Sequence, residues 1–370
     1  MGTRSGSRYL LAATLSLACS LPASSSAGRP ASLIAFDRAL DGSGRIHVVA
    51  PDGRGDRIIT PKPGFEAPAW SPDGLDLVYA SGSGPADGDL YSYRMSTGTI
   101  RRLTRHPGLD AYPAWSPDGS RIAWTANRGG GLAIWVMRRA GTAVRRLTGG
   151  PADGHPAWSP DGRTIAFVRA ATQSLELVRA NGQRPRRIGG ERAFDTSTAP
   201  AWSPDGNWLA ITGIDGALYT VATHGHALRR LTPDRPGTIA WRPAWSPRGG
   251  KIAFINLADS ALDVVDTVSA HIRVLAARSD ALSTPAWSPD GRFLAFSDGS
   301  AHLEMISSDG RARRVLTHGI STDANPAWRP RSYPKCGCTH LNADRDGRRS
   351  SAARRPPSSF RRHAAAARTG

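Results

Sequence analysis

Three carboxylates recur at one phase of this chain. Asp110, Asp153 and Asp323 each stand three residues before a proline, and Glu66 stands two before another. Acids repeated at one phase of a repeat can converge as an acidic ring, and such a ring would hold a divalent cation or a basic peptide. Tyr112, His155, Trp241, Arg242 and Asn325 lie in the same short segments and add aromatic, titratable and hydrogen-bonding groups. A plainer chemistry competes with the ring: Asp, Ser and Thr beside a turn often cap nearby backbone groups. His106, His224, His226, His271, His302 and His318 share no phase, so a histidine-rich central metal site is not indicated.

The elements that position these residues are legible. Pro-Ala-Trp occurs seven times, ending at Trp70, Trp115, Trp158, Trp202, Trp245, Trp287 and Trp328, with spacings of 45, 43, 44, 43, 42 and 41 residues. Five copies continue as Ser-Pro-Asp-Gly. In that turn proline presets φ, aspartate bonds nearby backbone and glycine takes the left-handed conformation. One unit then reads Arg121 to Trp124, Leu132 to Met137 and Arg145 to Thr148, separated by Gly- and Asn-rich breaks. Four short strands per unit at a period in the low forties predict a propeller blade. The tryptophan before the turn should pack between neighbouring blades.

The second-strand and fourth-strand runs each occur seven times. The first unit lacks a Pro-Ala-Trp before it, and the last Pro-Ala-Trp has no unit after it. The expected fold is therefore all-β, a single seven-bladed β-propeller of four-stranded blades. The C-terminal strand around Trp328 should pair with Leu33 to Phe36 and close the ring, leaving no open seam. The turn decays to Arg329-Pro330 because no hairpin is needed there, whereas Ser246-Pro247-Arg248-Gly249 keeps its glycine and can still turn.

This phrase, followed by Ile-Ala-Phe and later Arg-Arg-Leu-Thr, resembles the TolB-type propeller repeat over about residues 32 to 330. The resemblance implies that the Pro-Ala-Trp strand is innermost and that its incoming loop borders one mouth of the central channel. It does not imply TolB itself, whose α/β domain is absent ahead of the propeller, nor Tol–Pal partnership. It does not imply the peptidase activity of related oligopeptidases, because no Gly-x-Ser-x-Gly elbow occurs.

Outside residues 32–330, residues 1–27 read as a secretory signal: Arg4 and Arg8, a short apolar run from Tyr9 to Leu21, then small residues before a cleavage site. Cys19 raises lipid anchoring as a minor alternative. Residues 331–370 read as a basic disordered tail with ten Lys and Arg against Asp344 and Asp346. Cys336, Cys338 and His340 fall short of the four ligands zinc prefers. Asn342 to Gly347 opens like a calcium loop but has Ala353 where the closing glutamate belongs.

The net charge of +18 suggests nucleic acid, yet no nucleic-acid motif accompanies it. Arginine pairs opening the fourth strands would spread charge around the rim, where it resists edge-to-edge association. The expectation is an exported, monomeric, non-enzymatic propeller in the periplasm or outside the cell. It would bind a protein or peptide partner in the envelope and need no cofactor, and its basic tail could touch an anionic glycan or membrane surface. One alternative is a metal-assisted lyase or hydrolase acting on a glycan or small molecule in the channel. Another is an envelope polysaccharide-binding or sensor module.

Overall fold

The computed structural model describes residues 32–40, 43–60, 68–84, 87–233, 238–277, 283–298, 302–319 and 321–331. Seven antiparallel four-stranded sheets follow one another around a ring. Blade 1 is built from both ends of the propeller: Thr322–Trp328, Ile34–Leu40, Ser43–Val49 and Arg57–Ile58. Ile34 pairs with Trp328 and Ala35 with Ala327, so the ring closes where the broken last repeat predicts. Blades 2 to 7 have their first strands at Ala69–Trp70, Asp110–Trp115, Asp153–Trp158, Ala201–Trp202, Ala240–Trp245 and Ala286–Trp287.

Each part of the repeated phrase has a separate task. In the turn after Trp70, Ser71 Oγ donates to Asp73 Oδ1 at 2.6 Å and accepts the amide of Asp76 at 2.9 Å. Asp73 Oδ1 also accepts the Leu75 amide, and Gly74 sits at φ 65°, where a side chain would be strained. The altered turn at Ser246 still forms, with Gly249 at φ 75° donating back to the Ser246 carbonyl.

The tryptophans join blades. Trp115 Nε1 donates to the Ala69 carbonyl at 3.1 Å, Trp158 to Ala114, Trp202 to Ala157, Trp287 to Ala244, Trp328 to Ala286 and Trp70 to Ala327. Each indole thus reaches the first strand of the preceding blade. Those strands lie side by side around the channel, and six of the seven joints carry this bond. Trp245 Nε1 is buried with no partner among the described residues.

The fourth strands are clipped down. The threonine of the Arg-Arg-Leu-Thr phrase accepts a third-strand amide: Leu90 to Thr104, Ile134 to Thr148, Leu218 to Thr232. The first arginine of the pair crosses to the next blade. Arg145 donates to the carbonyls of Ala180 and Asn181, Arg186 to Thr223, and Arg229 to Thr267 and Val268. The rim arginines are charged, as the sequence suggests, and they are also ties between blades. Apolar residues fill the seams between adjacent sheets. The closing seam packs Ile34, Phe36 and Val49 against Ala295, Leu303 and Leu316.

Candidate functional site at the channel mouth

The three recurrent acids do not form an acidic ring. Asp110, Asp153 and Asp323 are buried at the starts of their first strands, and each is gripped by an arginine of its own blade. Arg128 Nη2 meets Asp110 Oδ2 at 2.8 Å, and the Trp124 indole donates to the same carboxylate at 2.8 Å. Arg169 Nε meets Asp153 Oδ1 at 2.7 Å. Arg38 holds Asp323 through Nε at 2.6 Å and Nη2 at 2.8 Å.

The cause is strand register. Asp153 lies directly opposite Arg169, and Asp323 opposite Arg38, so their side chains share a sheet face. Each guanidinium also lies over an aromatic ring: Arg38 over Phe36, Arg128 over Trp124 and Arg169 over Phe167. A paired, desolvated carboxylate is favoured over like charges crowded at one opening. Backbone capping does not account for these acids either. Among the described residues no group of three or more His, Cys, Asp or Glu side chains converges as a metal site. Glu66 lies outside the described residues.

The position just before the proline behaves differently. Tyr112, His155, Arg242 and Asn325 have φ of 52°, 55°, 50° and 48°. Each sits in a register shift: between Ala111 and Ala114, Gly154 and Ala157, Trp241 and Ala244, and Ala324 and Ala327. Proline lacks an amide hydrogen and fits such a bulge. The residue before it is forced out of the right-handed helical region by the proline ring. It adopts the left-handed conformation, which costs a non-glycine residue about 1–3 kcal/mol. The reversal separates Tyr112, His155 and Asn325 from the buried acids two residues earlier.

All four reversed residues line one cavity of about 420 Å³. Blades 5 and 7 have two-residue first strands, and their incoming loops supply Ser197, Thr198 and Thr284 to the same wall. The Arg242 guanidinium stacks on Trp241 with its carbon 4.1 Å from the ring centre. It donates to Thr284 Oγ1 at 2.5 Å and Asn325 Oδ1 at 2.6 Å, and Asn325 Nδ2 donates to the buried Asp37 at 2.9 Å. The rings of His155 and Tyr112 are 4.0 Å apart, and the His155 amide donates to Thr125 Oγ1 at 3.1 Å. Burial, reinforced by the charge of Arg242 and opposed by Asp195, pushes the His155 imidazole down to about 4. Thr198 Oγ1 is buried with no partner among the described residues.

Among the described residues the cavity lining therefore holds a cation, a neutral imidazole and several hydroxyls, and no carboxylate. This inverts the sign expected from the acids. Tyr112, His155, Arg242 and Asn325 come together at the mouth, with Trp241 supporting Arg242 from the side. Asp110, Asp153 and Asp323 belong to the interior of their blades. Thr198 and Thr284 are the residues that a reading weighted towards charge passes over. Their signal is that they occupy the same variable segments before proline.

A model of the TolB β-propeller domain matches residues 15–179 and 151–332. A Tol-Pal system protein TolB of Anaeromyxobacter sp. (strain K) is 36% identical over 89 residues, covering 23% of this chain and 19% of that protein. The match thus spans about a fifth of the curated relative's length. Among solved structures, TolB from Acinetobacter baumannii aligns with a TM-score of 0.56 at 22% identity, covering 82% of this chain and 68% of that one. A periplasmic gluconolactonase of Pseudomonas aeruginosa aligns with a TM-score of 0.57 at 19% identity, covering 81% and 99%. At these identities the structural likeness shows the fold alone. One fold here serves both an enzyme and a Tol-Pal component.

Proposed function

The chain belongs to the TolB β-propeller family, and from that premise we propose that it is a non-catalytic binding propeller whose mouth grips an anionic group of a protein partner. One observation supports this above others. Arg242 and the buried hydroxyl of Thr198, which has no partner among the described residues, line one cavity in whose described lining no carboxylate stands. A buried polar atom without a partner costs free energy unless something bonds it. A carboxylate would meet a cation already oriented by Trp241, Thr284 and Asn325. An extracytoplasmic setting and a monomeric state belong to the same proposal, consistent with the leader-like residues 1–27.

Calorimetric titration with glutarate and with its neutral diamide tests the reading. Glutarate should bind, and the diamide should bind at least tenfold more weakly. Arg242→Gln should remove most of the difference, and Thr198→Val should weaken glutarate severalfold. Equal binding of acid and diamide, or indifference to Arg242→Gln, would sink the proposal.

A second reading rests on His155. Its imidazole is neutral near pH 7, touches Tyr112 and faces the same cavity. A neutral imidazole can act as a general base towards a water or hydroxyl beside the already ionised carboxylate, so hydrolytic chemistry on such a ligand would use this residue. Turnover lost in His155→Ala while binding persists would favour that reading over a purely binding role.

A further inference from the structure

Next to the mouth, on the same face of the ring, three apolar side chains stand in solvent. Ile214, Ile239 and Leu257 are 60%, 47% and 46% exposed. They lie on adjoining segments of blades 5 and 6. The Ala240 amide donates to the Gly216 carbonyl at 2.8 Å, and the Leu257 amide donates to the Ile239 carbonyl at 2.9 Å. The Ile239 amide donates to Asn256 Oδ1 as well. The strip is thus presented on tied backbone. Single exposed apolar residues are ordinary, but three on neighbouring turns and strand starts beside a polar cavity mark an interaction surface.

The charged residues on these turns are engaged by their neighbours. Asp215 is engaged by Tyr219, Arg192 and Arg230, and Asp259 accepts a bond from Asn256. Ile239 precedes Arg242 by three residues in the same strand direction, a reach of about 10 Å at the usual rise per residue. A small carboxylate in the cavity would leave the strip uncovered. A polypeptide of ordinary extension could fill the cavity and cover the strip together.

We infer that the partner is a peptide segment whose carboxylate enters the mouth and whose apolar side chains, three or four residues away, cover Ile214, Ile239 and Leu257. This rests on the anion reading above and specifies the chemistry of the segment. Charge complementarity fixes one end of it, and the exposed strip fixes the other.

The test uses the full chain and three probes. The first is a blocked peptide with one glutamate and two leucines placed three and four residues away. The second is the same peptide with serines for the leucines, and the third is glutarate. The leucine peptide should bind at least tenfold more tightly than the serine peptide. Ile239→Ser with Leu257→Ser should erase that preference and leave glutarate binding unchanged. If the two peptides bind alike and both need Arg242, the anion reading stands and this inference falls. If none of the three binds, both fall. Self-association abolished by the double serine variant would assign the strip to a second copy of the chain and overturn the inference.

Discussion

At the scale of single residues, two titratable groups pull stability in opposite directions over nearly the same pH range. His155 is pushed from 6.5 down to about 4, chiefly by burial. Between those values the unfolded chain binds the extra proton, so His155 makes stability rise with pH and withdraws it on acidification. Asp263 is pushed up from 3.8 to about 6, again chiefly by burial, with Asp259 adding to it and a bond from Asn256 opposing it. Its Oδ1 has no partner among the described residues. There the folded chain holds the extra proton, so Asp263 makes stability fall as pH rises through the window. The two slopes offset each other in the native protein. Asp263→Asn should raise stability at pH 7.5, by about 1–3 kcal/mol, with the gain vanishing near pH 4. His155→Gln should flatten the acid side of the curve. Urea unfolding from pH 4 to 7.5 checks both, and parallel curves for variants and parent would refute the assignment. Tyr112 offers a backbone test. Tyr112→Gly should be more stable than Tyr112→Ala by roughly 1 kcal/mol, since glycine alone accepts its positive φ without strain.

At the scale of elements, the repeat phrase declares its hairpins openly and its ties only partly. Proline, aspartate and glycine have local conformational preferences, so the turn can be read from Ser71 to Gly74 alone. The cross-blade roles of Arg145 and Arg229 are not local, because their acceptors are carbonyls 35 to 39 residues away that any sequence would supply. The same limit hid the fate of the acids. Asp110, Asp153 and Asp323 recur at one phase, but Arg169 and Arg38 meet their acids through register, and Arg128 reaches Asp110 from just past its strand, none of which the sequence phase shows. The threonine latch is more readily tested than the arginine ties. Thr148→Val keeps the shape and leaves the Ile134 amide buried without its acceptor, and should cost about 1–3 kcal/mol. Thermal unfolding of that variant beside Arg145→Ala, whose exposed ties should cost less than 1 kcal/mol, separates the two contributions.

At the scale of the whole molecule, closure is polar as well as apolar. Arg38 with Asp323, Asn325 with Asp37, Trp70 with Ala327 and Arg329 with the Gly74 carbonyl all bridge residues more than 250 apart. Asp323→Ala removes one partner of a buried ion pair and should cost about 3–5 kcal/mol. Asp153→Ala removes an equivalent pair inside blade 4. If closure matters to the whole ring, Asp323→Ala should also speed amide exchange in blades 2 and 7. Exchange confined to blade 1 would show that the ring tolerates an opened seam.

The unmatched tryptophan sets one joint of the ring apart. Among the described residues six joints around the channel carry an indole-to-carbonyl bond, and the joint between blades 5 and 6 does not. That joint is still tied at the rim by Arg229 to Thr267 and Val268 and on the mouth face by Ala240 to Gly216, so what it lacks is the bond beside the channel. The joint runs past Ala201, which is itself part of the cavity wall, between Thr198 on one side and Arg242 on the other. Whatever occupies the mouth therefore spans this joint and can bridge it where the indole bond is missing. Occupancy should be felt as stiffness across the entire hoop, far beyond the atoms that the ligand touches.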